Sequence, residues 1–512
     1  MRFGIDFGTT RTVIAAVDHG RFPVAVFDTP RGYLDYLPGL AIAHQDRVDF
    51  GWDSLPESQG ALTLRSIKRV AGRLAPDDPV PGWNGRDAAL DLVTNYLRFV
   101  RRMLLNSSNL VIDPDEPLEA MVAVPANAGT GHRYLTVEAF SRAGFTVIGL
   151  MNEPTAAAVE FAFTNLAETT RSPKRYVVVY DLGGGTFDSS AVSLTGRRFE
   201  MLKSEGIASL GGDDFDSIIL DAALERSGRS KDDISPSMLV RLLEMCREAK
   251  EGLTPNSRRL LIDLARVTPQ MATTVLDVSE IYARCQPLVQ RTVALLDRVF
   301  SNLAGYGIDV NNPRELGAVY LVGGSVHFPL VARTLRRLYH RKIQIASQPQ
   351  ATTAVGLAIA ADPEARIFVR ESSTRHIGVW READDGRSKV FDPIVTKDTL
   401  PTDGQPIIVE RRYRPVHSVG HLRFVECSDL DVDGRPCGDL VPWLDLYFPY
   451  SPNLAGRTDL SRMPTERSEA LKTEEIVETY AYNLDGTLTI DIENRSRGYH
   501  RRRTVPWKAG AD

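Results

Sequence analysis

The chain has 512 residues, 43% of them hydrophobic and 25% charged, and 61 Lys+Arg against 66 Asp+Glu give a formal net charge of −5. This is the composition of a globular protein of two to four domains; it excludes a mostly disordered chain, a fibrous repeat and wholesale electrostatic binding of nucleic acid or a membrane surface. No run approaches the ~18 apolar residues a membrane span needs, and the N-terminus lacks the basic-then-apolar layout of a signal peptide. Four cysteines (Cys246, Cys285, Cys427 and Cys437) with no C-x-x-C pair predict ordinary thiols in a reducing cytoplasm, not a disulfide scaffold or a zinc site.

Strand-like and helix-like segments alternate over the first ~360 residues. Arg2–Phe7, Thr12–Val17 and Val24–Asp28 read as consecutive strands joined by tight turns. Apolar residues at Leu90, Val93, Leu97, Val100 and Leu104 predict an amphipathic helix over 86–105. Met121–Val124 is a short buried strand, and the helix after it runs to Arg142 with Gly144 at its C-terminal cap. The next helix starts at Glu153-Pro154, proline in its first turn.

Then the pattern begins again. Tyr176–Asp181 is a strand followed by a glycine-rich turn and more strands; helices are predicted over 213–225, 236–251, 279–303, 328–339 and 352–361, with an apolar strand at Ala318–Val322. Asp6-Phe7-Gly8-Thr9-Thr10 and Asp181-Leu182-Gly183-Gly184-Gly185-Thr186 share one shape, strand, Asp, Gly turn and Thr, 175 residues apart. That recurrence predicts two related α/β lobes facing one another across a cleft. Beyond ~365 Pro, Gly, Asp and β-formers dominate. Asp485-Gly486 between two alternating runs is a hairpin signal.

The paired turns carry the chemistry. Glycine lets the backbone approach an anion, successive N–H groups make an anion-binding concavity, and the threonine hydroxyl adds a donor. Two such turns would grip a polyphosphate from both sides. Asp6 and Asp181 would then repel it unless a divalent cation lay between, and Mg²⁺, often held through water, suits carboxylate and phosphate oxygens. Gly323-Gly324-Ser325, between an apolar strand and a helix, can cradle a ribose or base; Gly211-Gly212-Asp213-Asp214 caps a helix with carboxylates. Arginine is the default cation, 51 against 10 lysines, and Lys68 is the one lysine between Met1 and Pro173. A compact ammonium differs from a planar fork in what it can do at a phosphate, so that solitary lysine is a candidate site residue.

In order, DFGTT (6–10), SIKRVAGR (66–73), VP (124–125), NEPTAAA (152–158), YDLGGGTFD (180–188), LGGDDFD (210–216), LVGGSVHFP (321–329) and AVGLAIAA (354–361) resemble the nucleotide-binding domain of the DnaK-type, seventy-kilodalton heat-shock chaperones, a branch of the actin, sugar-kinase and heat-shock ATPase superfamily. The likeness covers residues 1–365. More faintly, 390–402 and 482–498 resemble that family's peptide-holding β-sandwich.

The resemblance implies a duplicated, two-lobed actin-like ATPase domain over 1–363, a linker over 364–373 and a β-rich peptide-binding-like domain over 374–512 without the family's helical lid. It implies an ATP-dependent chaperone that hydrolyses Mg-ATP and so regulates its hold on unfolded or extended peptides. It assigns Mg²⁺ to Asp6 and Asp181. Gly8, Thr9, Thr10, Gly183, Gly184 and Thr186 fall in the phosphate loops, Lys68 at the γ-phosphate, Glu153 and Asp188 at the attacking water, and Gly212, Lys250, Gly323, Gly324, Ser325 and His327 at the remaining nucleotide contacts. Pro125 and Arg133 match a pair that couples nucleotide state to the second domain. Phosphoryl transfer to water needs placement and charge neutralisation, which this set supplies. Implied partners are peptides, a J-domain co-chaperone and a nucleotide-exchange factor, with no nucleic acid and no membrane.

Four departures stand out. Where the family presents Glu, Lys and Arg to the adenosine, this chain has Arg247, Lys250 and Glu251. His327 replaces an arginine. Arg11 replaces an uncharged residue beside an alkali-metal (K⁺) site. The linker is apolar only at Ile367, Phe368 and Val369, flanked by arginines, where the family has a leucine-rich strand. These motivate the alternative of a nucleotide-sensing scaffold with little turnover. A small-molecule kinase or a filament-forming actin relative fits less well, because the NEPTAAA, GGGTFD and LGGDDFD set and the following β-domain point to the chaperone branch.

Overall fold

The computed structural model describes every residue except 45–46, 52–61, 73, 84–86, 114, 166–174, 268–270, 372, 374, 384–387, 398, 400–404, 484–486 and 506–512. The chain divides into two compact units. One holds Met1–Ala126 and Thr136–Val369, the other Asn127–Leu135 and Arg370–Asp512.

The first unit repeats one motif. Strand β1 (Arg2–Phe7) turns back into antiparallel β2 (Arg11–Ala16) and lies parallel to β3 (Glu119–Val124), which lies parallel to β4 (Thr146–Asn152). In the second half β5 (Tyr176–Leu182) turns back into antiparallel β6 (Phe187–Thr195), which pairs with β7 (Arg198–Ile207). β5 also lies parallel to β8 (Leu316–Val322), and β8 to β9 (Ile343–Ile345). The sequence recurrence is thus a repeat of connectivity: hairpin first, then two parallel strands reached by helical crossovers. Both turns close alike, Gly8 N–H on the Arg11 carbonyl at 3.0 Å and Gly183 N–H on the Thr186 carbonyl at 3.1 Å.

Helix α1 (Ile67–Ala71) follows a small three-stranded sheet through Leu62–Arg65, and α2 (Ala89–Asn106) buries the apolar stripe read from its periodicity. Helix α3 (Glu153–Thr164) has Pro154 in its first turn; α4 (Gly212–Arg226), α5 (Pro236–Glu251), α6 (Val278–Gly305, with Pro287 inside), α7 (Pro329–Tyr339) and α8 (Thr352–Ala361) belong to the second half. Helices α3 and α8 exchange. Ala157, Val159 and Phe161 of α3 pack on Val177 and Val179 of the second sheet, while Ala354 and Ala358 of α8 pack on Val13 and Ala15 of the first.

One predicted strand differs. Val24–Asp28 is not continuous: Val24 makes an isolated bridge to Ala15, and the strand is Phe27–Thr29. The Val26 N–H goes to the Asn109 side chain at 2.8 Å, which takes the segment off the ladder. Between the predicted domains, Phe368–Glu371 forms a strand on the edge of the second sheet, beside β7, and the Phe368 N–H reaches the Arg197 carbonyl at 2.9 Å.

The second unit holds two antiparallel four-stranded sheets. In one, β10 (His376–Ala383) lies between β11 (Ser388–Val395) and β13 (Val419–Leu430), and β14 (Pro436–Pro449) is the far edge. The other runs β12 (Ile407–Tyr413), β15 (Ile476–Tyr482), β16 (Leu488–Asn494), β17 (Tyr499–Val505). Ile377, Val379, Phe424, Leu446 and Phe448 meet Ile476, Tyr480, Ile490 and Ile492 in one core. The β15–β16 hairpin is present; its Asp485-Gly486 turn lies outside the described residues. All four cysteines are free thiols. No described helix is long and apolar enough to cross a membrane.

Candidate functional site

A cleft opens between the two halves of the first unit. Both glycine turns line it, with Asp6, Gly8, Thr9 and Thr10 from the first and Asp181, Gly183, Gly184 and Thr186 from the second. Lys68 and Glu153 also line it, and Gly212, Lys250, Gly323, Gly324, Ser325 and His327 complete the wall. Of the candidates read from the sequence only Asp188 stands behind that lining, buried on β6 directly across the ladder from Asp181.

Several of the glycine positions, Gly8, Gly184, Gly212 and Gly323, leave no room for a side chain. Gly323 sits at φ +84°, and a Cβ there would lie 2.4 Å from the Leu182 carbonyl oxygen and 2.6 Å from Asp181 Oδ1. Backbone of the third turn therefore packs directly against the second. The Ser325 hydroxyl donates to the Gly183 carbonyl at 2.8 Å, and the Gly212 N–H donates to the same carbonyl at 3.0 Å.

Electrostatics at the cleft floor are one-sided. Burial, then the neighbouring Glu153 carboxylate, pushes the Asp6 carboxyl up to about 7, against the pull of Lys68. Burial, then Glu153, Asp188 and Asp6, holds Asp181 well above the ordinary carboxylate range. Lys68, nine-tenths buried or more, donates to Glu153 Oε1 at 2.5 Å and lies 5.7 Å from the Phe7 ring centroid. Asp6 Oδ1 is buried without a hydrogen-bond partner in the structure. A buried carboxylate oxygen lacking a donor, beside a second strained carboxyl, fits a cation. Among the described residues no three His, Cys, Asp or Glu side chains converge to hold a metal alone. The donor set therefore suits a hard cation that keeps waters and takes its remaining oxygens from a phosphate.

At the other end of the cleft the lining residues also hold one another. The Lys250 ammonium, in the cleft lining, reaches the Gly212 carbonyl at 2.9 Å and Asp216 Oδ1 at 2.7 Å. Arg11 donates to both oxygens of Glu251 at 2.7 Å and stacks over the Tyr36 ring at 4.3 Å. That fixes the Arg11–Glu251 ion pair in the wall of the cleft. His327 is exposed at the rim.

Sequence reasoning missed the ion pairs that join the halves. Arg65 Nη2 reaches Asp216 at 2.7 Å and its Nε reaches Glu244 at 2.6 Å; Arg31 reaches Glu248 at 2.7 Å. Acidic residues at 244, 248 and 251, four and three apart on one helix, were the available signal.

A family profile described as Hsp70 protein matches residues 114–367, which hold β5, β6, β8 and the second and third glycine turns. Over that segment the chain is Hsp70-like. Proteins similar to it include "Chaperone protein HscA" of Proteus mirabilis (strain HI4320), 32% identical over 376 residues, and "Chaperone protein HscA homolog" of Azotobacter vinelandii, 32% identical over 384 residues. Each match covers 70% of this chain and 57% of the relative, so the chain spans under two thirds of the length of the curated relatives it matches.

Proposed function

We propose that the first unit binds Mg-ATP between the twin glycine turns and hydrolyses it, and that nucleotide state governs how the β-rich unit holds extended peptide segments. The observation that carries the reading is the pair of carboxylates, Asp6 and Asp181, facing one cleft from matching glycine turns, with Asp6 Oδ1 buried and without a hydrogen-bond partner. In this reading Asp6 and Asp181 hold Mg²⁺ through water, and the cation supplies charge neutralisation for the phosphates. Gly8–Thr10 and Gly183–Thr186 donate backbone and hydroxyl hydrogens to phosphate oxygens. Lys68 stabilises charge at the terminal phosphate, and Glu153, already hydrogen-bonded to Lys68, orients the water. Asp188, across the ladder from Asp181, adds a further carboxylate near the attacking water.

Peptide capture draws support from the second unit's sheet edges, where Val390, Ile408, Leu440 and Val441 are exposed beside unpaired strand backbone. A J-domain co-chaperone and a nucleotide-exchange factor are the partners the family suggests. Four free thiols support a reducing, cytoplasmic setting. The Arg11–Glu251 pair favours a second reading, a nucleotide sensor with little turnover, because it changes the wall of the cleft without touching the phosphate turns.

The test is single-turnover hydrolysis by the purified chain. Lys68→Ala and Asp181→Asn should each lower the rate at least about a hundredfold. Unchanged turnover in both variants overturns the site. Tight Mg-ATP binding with the bound nucleotide intact for hours selects the sensor.

A further inference from the structure

Lys68 sits on a helix that cannot hold itself in place. α1 has five residues, too few for independent helical stability. Ser66 precedes it in the capping position at φ 62°, ψ 55°, the left-handed region, and makes no cap with its side chain. A serine there would ordinarily sit in extended conformation and accept from the first turn of its own helix. Instead its hydroxyl donates to Asp213 Oδ2 at 2.6 Å, across the cleft on the first turn of α4. Serine in that backbone region is strained, and a fixed partner must offset the cost.

The neighbours reinforce the link. Arg65 Nη2 lies 3.2 Å from Asp213 and 2.7 Å from Asp216. Arg69 Nη2 lies 3.4 Å from Asp214. The acidic run after Gly211-Gly212 is thus more than a helix cap: the segment 65–69 grips it from the opposite half. Lys68, inside that grip, points the other way, to Glu153.

We propose that Ser66 and Asp213 are a positioning pair for Lys68, by which the acidic first turn of α4 fixes the short helix so that the ammonium is presented to the terminal phosphate when the halves of the cleft are together. This rests on the ATPase reading above. Neither residue touches the reacting atoms; both act through Lys68. Nucleotide contacts that close the cleft around Gly212 therefore also set the catalytic cation.

Three measurements on the full chain test it. Ser66→Gly removes the hydroxyl and keeps the backbone conformation available; Ser66→Asn tolerates that conformation and restores a donor. Single-turnover hydrolysis should fall about tenfold in Ser66→Gly, with Mg-ATP affinity held within about twofold, and recover in Ser66→Asn. In a Lys68→Ala background Ser66→Gly should cost nothing further, and an additive loss overturns the pair. Acylation of Lys68 in nucleotide-free protein, read by mass spectrometry, should rise several-fold in Ser66→Gly. Unchanged acylation overturns the positioning role whether or not the chain turns over ATP. A wild-type chain that binds no Mg-ATP instead overturns the ATPase reading, and the acylation arm still decides the pair.

Discussion

Asp6 places the function in conflict with stability. Its carboxyl is raised from 3.8 to about 7, so between roughly pH 4 and 7 the folded, metal-free protein keeps a proton that the unfolded chain has released. Stability from this group therefore falls as pH rises through that window and stays low above it. Mg²⁺ with nucleotide would replace the missing positive charge. Asp6→Asn in metal-free protein should be more stable than wild type at pH 8 by on the order of 2 kcal/mol, with the advantage gone at pH 4. The same variant should lose the rise in melting temperature that Mg-ADP gives wild type. An equal difference at both pH values would show that Asp6 carries no such cost.

At the scale of elements, periodicity and punctuation made most of the first unit legible. α5 and α8 begin and end where Ser235-Pro236 and the small-residue run place them, because proline at the first turn and unbroken apolar spacing are local signals. Val24–Asp28 misled because its N–H partner is Asn109, more than 80 residues away. The site followed the same division. Both glycine turns and Lys68 were readable from residue type and repetition. The grip of Arg65, Ser66 and Arg69 on Asp213, Asp214 and Asp216 was not, since it joins segments about 150 residues apart with no shared motif. Close helix packing was legible only as composition. A Cβ on Gly356 of α8 would lie 1.8 Å from the Ala156 carbonyl oxygen of α3, and one on Gly4 of β1 would lie 2.2 Å from the Ala354 carbonyl oxygen. Gly356→Ala forces α3 and α8 apart, and the helix-propensity gain of about 1 kcal/mol does not offset it. Chemical denaturation should show a net loss of about 2–3 kcal/mol in the first unit; no loss would mean the helices are not held at this distance.

Across the whole molecule, each unit has its own hydrophobic core, and the two differ in where their buried charge lies. The first gathers carboxylates at its cleft. The second has at its centre a buried polar network that nothing in the sequence pattern marked. Glu478, fully buried on β15, accepts from Arg381 at 2.6 Å, from the Tyr413 hydroxyl at 2.5 Å and from the Tyr480 hydroxyl at 2.6 Å. Arg381 also holds Asp392 at 2.6 Å, which pairs with Arg411 in turn. Such a pair contributes little net stability compared with apolar packing, yet removing one partner strands the other charge. Arg381→Met should therefore destabilise the second unit by about 3–5 kcal/mol, and adding Glu478→Gln should recover part of that loss by removing the stranded charge. The cleft between the glycine turns is lined entirely by residues of the first unit. Mg-ATP affinity measured by calorimetry at a temperature below the second unit's transition should thus match wild type in both variants, while peptide binding should weaken in Arg381→Met and return with the double substitution. Equal loss of nucleotide affinity would mean that the cleft depends on the β-rich unit for its form.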